Sequence, residues 1–330
     1  MSFIRTFHGD VEPSTLGVTY SHEHIVCRPS YWVEQKADDL LLDDKEKSKL
    51  DVLDFKNLGG QTIVDATAID YGRDVNAVKE IAEETGVTII GTAGFNKSFL
   101  WNAPIPEHVK QVIGDFKTYY EWIETKSIHE LADFVIQEIE KGLEGTTIRG
   151  GQVKFGTGYN RITPLEEKTL RAVAIAHHET KAPMHSHTEA GTMGFEQIEL
   201  LKREGVNLEN ISFGHMDRNP DPFYHEKIAA TGAYLSFDGI SKIKYAPEST
   251  RIQSILDLVR KGYEDQILVS GDTARKSYYK HYDYGLGLEN ILGKWVPRFV
   301  EEANLNGFDG QHLINKFFIE NPARCFSFKK

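Results

Sequence analysis

Eight short apolar segments, separated by segments with helical periodicity, run through most of this 330-residue sequence. Such an alternation restricts the chain to α/β architectures in which helices cover parallel strands. The predicted strands are residues 17–25, 61–67, 87–93, 152–155, 182–187, 210–215, 233–237 and 266–272. The predicted helices are residues 44–57, 74–85, 128–139, 164–180, 194–203, 220–231, 249–261, 288–303 and 311–319.

Eight such strands predict a closed (β/α)8 barrel, a TIM barrel, as a single domain over residues 1–330. The length exceeds the roughly 250 residues of a simple barrel and leaves room for insertions. An open, doubly wound sheet is the alternative. It is disfavoured because no GxGxxG turn follows the first predicted strand.

The overall charge limits the classes of binding partner. Acidic residues outnumber basic ones, giving a net charge of −11. Nucleic acids and anionic membranes favour basic surfaces, so we expect neither as a partner. A local basic pocket can still bind a small anionic substrate.

The amino-terminal segment and the cysteines favour the cytoplasm. Residues 1–10 lack the apolar stretch of a secretory signal, and no run reaches the roughly 20 apolar residues of a membrane span. Cys27 and Cys325 have no CxxC spacing, so we expect two reduced thiols, with a disulfide as the lesser alternative.

Two histidines at the end of the first predicted strand are candidate metal ligands. Side chains at positions i and i+2 of a strand share a face, so His22 and His24 can point to one ion while Glu23 points away. A lone His-x-His pattern is weak, because half-buried strands also carry histidines for packing.

Further candidate ligands follow other predicted strands. Lys154, His187, His215 and Asp272 all lie at carboxyl ends, which meet at one face of a barrel. Each residue alone has an ordinary explanation, such as a hydrogen-bonded core histidine or, for Asp272, a helix N-cap. His185 shares a strand face with His187, and spacing alone does not choose between them.

Lys154 is unusual because it interrupts an apolar strand. Burial disfavours the ammonium form and lowers the pKa of a lysine, which leaves a neutral amine able to react with carbon dioxide. The resulting carbamate is a bidentate anion that could bridge two metal ions. The ordinary alternative is an ion-paired or snorkelling lysine.

Taken together, these segments resemble the phosphotriesterase-like branch of the amidohydrolase superfamily across nearly the whole chain. The place of His187 directly before Thr188 matches the family pattern and favours it over His185. The matching segments are LGVT at 16–19, HEH at 22–24, VKFGT at 153–157, ITPLEEK at 162–168, HTEAGT at 187–192, FGHMD at 213–217 and VSGD at 269–272.

The resemblance implies a binuclear metal site at the carboxyl-terminal face of the strands. His22, His24 and Asp272 would hold the more buried ion, and His187 and His215 the more exposed one. Carboxylated Lys154 would bridge them. Zinc suits this ligand set, although manganese, cobalt or iron could also occupy it.

Such a site implies hydrolysis. Two divalent ions can lower the pKa of a bridging water and deliver hydroxide, while Asp272 passes the proton to the leaving group. The resemblance also suggests a homodimer. A non-catalytic, metal-binding barrel is the remote alternative, but metal storage does not need a proton shuttle.

The loops after strands seven and eight indicate the substrate. In barrels this region often binds phosphate, and Lys244, Arg275 and Tyr278 supply donors there. The resemblance implies lactonases as well as organophosphate hydrolases, and a basic pocket beside the metals suits a phosphorylated sugar. We therefore expect a lactonase that acts on a phosphorylated furanose 1,4-lactone. The alternatives are an organophosphate triesterase, another carboxylic-ester or amide hydrolase and, for the loops themselves, a merely solvated basic surface. Residues 99–101 could form a pocket wall, a lid or an interface.

Overall fold

The computed structural model describes residues 2–329 and consists of a closed parallel barrel with a small amino-terminal hairpin. The hairpin pairs β1 with β2 in antiparallel fashion. The strands are β1 (Ile4–Thr6), β2 (Gly9–Val11), β3 (Thr19–Glu23), β4 (Thr62–Asp65), β5 (Thr88–Ile90), β6 (Thr92–Gly94), β7 (Gln152–Thr157), β8 (Met184–Thr188), β9 (Ile211–Phe213), β10 (Tyr234–Phe237) and β11 (Ile267–Val269).

The barrel consists of two runs of parallel strands that join at both ends. One run is β3-β4-β5 and the other is β6 to β11 in chain order. Gly91 alone separates β5 from β6, so together they form the predicted third strand. At the other seam, the Asp272 N–H donates to the His22 carbonyl at 2.9 Å. The predicted (β/α)8 barrel is confirmed.

Helices cover the outside of the barrel. The predicted helices at 164–180 and 194–203 have the same bounds in the structure. Among residues 2–329, no helix is long and apolar enough to cross a membrane. The helices are α1 (Ser30–Glu34), α2 (Lys45–Asn57), α3 (Val75–Thr85), α4 (Glu107–Ile113), α5 (Tyr119–Thr125), α6 (Ile128–Glu140), α7 (Pro164–Thr180), α8 (Gly194–Arg203), α9 (Pro222–Ala229), α10 (Glu248–Arg260), α11 (Lys280–Asp283), α12 (Val296–Leu305), α13 (Gly310–Asn315) and α14 (Asn321–Cys325).

A small apolar cluster forms the floor beneath the polar site. Leu268 and Tyr234 lie four residues before Asp272 and Asp238, so each shares a strand face with a site residue. They pack with Val64 and Ile90 in a cluster that also contains Cys325. Cys27 and Cys325 are both buried free thiols, as expected from the sequence.

Candidate metal centre

His22, His24 and Asp272 converge at the seam between the first and last barrel strands. Each offers one ligand atom, and these atoms lie within 4.8 Å of one another. The Nε2 atoms of His22 and His24 are 3.7 and 3.6 Å from Asp272 Oδ1. Three buried donors of these types at this spacing suit one divalent ion.

His187 and His215 form a second pair of facing donors. His187 Nδ1 and His215 Nε2 are 2.9 Å apart, and both rings are buried. The rings of His22 and His215 also pack together, with centroids 5.1 Å apart. The four predicted histidine ligands therefore share one cluster.

The other ring nitrogen of each of these histidines is held by a neighbouring group. Asp238 contacts Nδ1 of His22 at 2.9 Å and Nδ1 of His215 at 2.7 Å. The remaining contacts are His24 Nδ1 with Thr67 Oγ1 at 2.7 Å and His187 Nε2 with Glu189 Oε2 at 2.9 Å. Such contacts fix the tautomer and turn the free nitrogen towards the centre, which is the arrangement that metal-binding histidines require.

Burial also keeps three of these rings, those of His24, His187 and His215, in the neutral form that binds metal. It lowers the pKa of His24 and His187 well below the usual range, and that of His215 to about 4. A neutral imidazole has a lone pair free for a cation. The donor set therefore fits divalent ions in its charge state as well as in its spacing.

Lys154 lies inside the barrel beside these residues. It is 1% exposed, and its Nζ donates to the Ala66 carbonyl at 2.8 Å. Burial lowers the pKa of this amine to about 8. The alternative of a snorkelling lysine does not agree with this position, because the ammonium group does not reach solvent.

His185 faces a different environment from His187. Its Nδ1 contacts Ser212 Oγ at 2.8 Å, and its Nε2 has no hydrogen-bond partner within residues 2–329. Its ring meets that of His22 edge-on, with centroids 4.6 Å apart. It therefore packs against a ligand candidate without joining either donor group.

Two cationic side chains contact Asp272. Arg218 Nη2 and Lys242 Nζ each donate to Asp272 Oδ2 at 2.6 Å. Burial would raise the pKa of this carboxyl, but its charged neighbours, Lys242 foremost, hold the pKa well below its usual range. Asp272 also has a left-handed backbone, with φ of 42°. This conformation is unfavourable for a non-glycine residue and is typical of functional sites.

A cavity of about 610 Å³ opens above this cluster. The three predicted phosphate-binding residues line one side of it, gathered around a single ring. Lys244 Nζ and Arg275 Cζ lie 5.7 and 5.9 Å from the centroid of Tyr278. Lys242, Arg218 and Tyr245 line the same region but were not singled out from the sequence.

The segment 99–101 contributes to the cavity wall in part. Phe99 and Leu100 line the cavity, and Phe99 packs edge-on against Trp32 with centroids 5.5 Å apart. Trp101 is instead fully buried, and its Nε1 donates to Asp70. The pocket-wall interpretation therefore applies to the first two residues only.

Sequence reasoning missed the groups that orient the ligands. Asp238 lies in the loop after the seventh predicted strand, where it was given no role. Thr67 is the last residue of the second predicted strand. Glu189 follows His187 by two residues, a spacing that suggests a shared strand face. That spacing was the available signal for Glu189. The three contacts made by Asp238 and Thr67 cross between strands, and sequence spacing does not report them.

Comparison with known proteins identifies the family. A family model described as the phosphotriesterase family matches residues 2–326. The chain is 30% identical to the phospho-furanose lactonase of Mycoplasmopsis synoviae, covering 99% of this chain and 92% of that protein. It is 29% identical to the aryldialkylphosphatase of Saccharolobus solfataricus, with 96% and 97% covered.

A solved structure gives a closer match. The crystal structure of the lactonase Lmo2620 from Listeria monocytogenes superposes with a TM-score of 0.99 at 69% identity, covering 99% of this chain and 100% of that one. The barrel, the His and Asp donor groups and these relatives agree. The chain belongs to the phosphotriesterase family and is a hydrolase.

Proposed function

We propose that this hydrolase opens a phosphorylated furanose 1,4-lactone. The observation that carries the proposal is the group of Lys244, Arg275 and Tyr278 in the cavity above the metal-ligand candidates. Although the net charge of the protein is −11, several cationic side chains line this cavity, which suits an anionic substrate. Relatives from two Mycoplasmopsis species carry the name phospho-furanose lactonase, which supports the same substrate class.

The proposed cofactor is a pair of divalent ions. We assign His22, His24 and Asp272 to one ion, His187 and His215 to the other, and carboxylated Lys154 to both. Zinc suits these donors, with manganese, cobalt or iron as alternatives. When bound, the ions supply an activated water and polarise the lactone carbonyl.

The chain's own side chains bind the substrate and move a proton. Lys244, Arg275 and Tyr278 hold the phosphate and so direct the lactone carbonyl towards the histidine cluster. Asp272 accepts a proton from the attacking water and donates it to the ring oxygen as the acyl C–O bond breaks. The product is a phosphorylated hydroxy acid. The cationic wall disfavours an uncharged phosphotriester, which would need an apolar wall.

A panel of lactones, with and without phosphate, tests this proposal. Protein loaded with Zn²⁺ or Mn²⁺ in bicarbonate should strongly prefer phosphorylated lactones, measured by proton release. Lys244→Ala and Arg275→Ala should each lower kcat/KM for phosphorylated lactones by about 100-fold, with a much smaller effect on unphosphorylated ones.

Lys276→Ala is the matched control. Lys276 neighbours Arg275 in sequence but pairs with Asp38 and Asp43 outside the cavity lining. The proposal is wrong if phosphorylated lactones are not preferred, or if Arg275→Ala affects kcat/KM no more than this control does.

A further inference from the structure

Helix α10 carries a fully buried arginine that joins two loops of the site. Arg251 Nη2 donates to the Lys242 carbonyl at 2.8 Å, and its Nη1 donates to Glu248 Oε1 at 2.6 Å. On its other side, Nε donates to Asp217 Oδ2, next to Arg218. One planar guanidinium thus contacts the loops after the sixth and seventh strands.

The Lys242 carbonyl is the point at which this contact reaches the cavity. It also accepts from the Tyr245 N–H at 3.0 Å, which closes the short turn that carries Lys244. Glu248 Oε1 accepts from the Ser241 N–H at 2.7 Å and holds the residue before that turn. Arg251 and Glu248 therefore fix the backbone that carries Lys244, one of the three proposed phosphate donors.

The packing around Arg251 leaves no room for a larger residue at Gly239. A Cβ on Gly239 would collide with Asp217 Oδ2 and would come within 3.2 Å of Arg251 Nη2. Glycine at 239 permits this close approach. Lysine cannot replace the arginine here, because one ammonium group cannot match three acceptors placed around a planar fork.

We propose that Arg251 is a positioning residue for the anion subsite, acting through the Lys242–Tyr245 turn and through Asp217. This inference rests on the proposed function, since the subsite is assigned there to the substrate phosphate. Arg251 does not line the cavity and acts on the substrate only through other residues.

Arg251→Lys tests this role, with inorganic phosphate as the probe. We expect the inhibition constant of phosphate, and KM for the phosphorylated lactone, to rise about tenfold or more, because a misplaced Lys244 binds the anion weakly. The value of kcat at saturation should fall much less. A purely structural role would instead lower the amount of active protein and leave KM unchanged.

Arg260→Lys, the same substitution at an exposed position of the same helix, is the control and should keep both constants. If Arg251→Lys does not fold, Glu248→Ala removes the acceptor of both Ser241 and Arg251 at a partly exposed position, and it should raise the same two constants.

The outcomes separate this inference from the proposed function. Wild-type protein that is inhibited by phosphate, with a folded Arg251→Lys variant that keeps the wild-type constants, overturns the positioning role alone. Wild-type protein that phosphate does not inhibit, and that does not prefer phosphorylated lactones, overturns both.

Discussion

At the scale of single residues, the site depends on which ring nitrogen of each histidine is hydrogen-bonded to a neighbouring side chain and which one is left to bind metal. The ligand candidates could be found from the sequence because each lies in a barrel strand or within three residues of its carboxyl end. Lys154 was predicted to end its strand but is the third residue of β7, which continues to Thr157. Their partners could not, since Asp238 and Thr67 are ordinary residue types that meet these rings only across strands. His215, like Asp272, also has a left-handed backbone, with φ of 63°, which strand patterns do not report.

Glu189 should control metal binding through His187. Its carboxylate contacts His187 Nε2 and pairs with Lys97. We expect Glu189→Ala to raise the Zn²⁺ concentration for half-loading of the apoprotein by about 10- to 100-fold, because His187 loses the group that orients it. Calorimetric titration measures this change. Glu199→Ala, on the exposed part of α8, serves as the control, and equal affinities in both variants would refute the role.

Asp70 should make stability depend on pH. It accepts from the Asn96 N–H at 2.8 Å, and burial raises its pKa to about 6. The folded state therefore binds a proton more tightly than the unfolded state does. The stabilisation is fully present below about pH 4 and is lost as the pH rises through about 6, amounting to about 3 kcal/mol at most.

Asp70→Asn removes this titration. The free energy of unfolding of the variant should fall furthest below that of the wild type near pH 4, with a smaller difference at pH 7. Urea unfolding of metal-free protein at several pH values measures the difference. A difference that is constant, or that grows with pH, would contradict the raised pKa.

At the scale of elements, the bounds of α7 and α8 were predicted correctly, whereas the predicted helix 288–303 contains a π-helix at Ile291–Trp295 before α12 begins. Thr163 caps α7 and Pro164 begins it, so the local signals for its start are strong. The first and last barrel strands were predicted to run to residues 25 and 272 but end at 23 and 269. Beyond these points backbone bonds alternate with bonds to side chains, since the Gly271 N–H donates to Glu23 and the His24 carbonyl accepts from the Tyr279 hydroxyl. Strand periodicity does not distinguish the two situations.

Helices α6 and α7 both begin with a capping box, but the two glutamates differ in burial. Glu130 and Glu166 both accept from the N-cap backbone of their helices. Glu166 is buried and also accepts from the Ser98 N–H at 3.0 Å, which connects α7 to the loop that carries Phe99.

Glu166→Ala should therefore lower the free energy of unfolding by about 1 to 2 kcal/mol, because it leaves the partly buried N–H groups of Ser98 and Thr163 without partners. Glu130→Ala should cause a much smaller loss. Urea unfolding of both variants checks this difference, and equal losses would show that the Ser98 contact contributes nothing.

At the scale of the whole molecule, one buried carboxylate joins the two ends of the barrel. Glu23, which the strand pattern turns away from the site, accepts from the Gly271 N–H at 2.6 Å and the Thr273 N–H at 2.7 Å. It also accepts from Ser270 Oγ at 2.7 Å. The closed barrel was predictable from eight apolar strands. The group that closes it was not, because a lone glutamate in a strand carries no such signal.

Glu23→Gln should lower the free energy of global unfolding by about 3 kcal/mol, because an amide cannot accept all three bonds. It should also reduce metal binding, since Gly271 and Thr273 flank Asp272. Urea unfolding and metal analysis measure the two effects. Glu226→Gln on the exposed face of α9 is the control, and a Glu23 variant as stable as this control would contradict the closing role.

Asp238 gives the two halves of the proposed metal centre a common support. Its two oxygens contact one histidine assigned to each proposed ion, His22 and His215. Ordering one of these rings therefore orders the carboxylate for the other. Energetic coupling of this kind is reciprocal. Filling either half should therefore raise the affinity of its neighbour, and partly loaded chains should be rare. We therefore expect the two ions to enter each chain together when the apoprotein is titrated with metal.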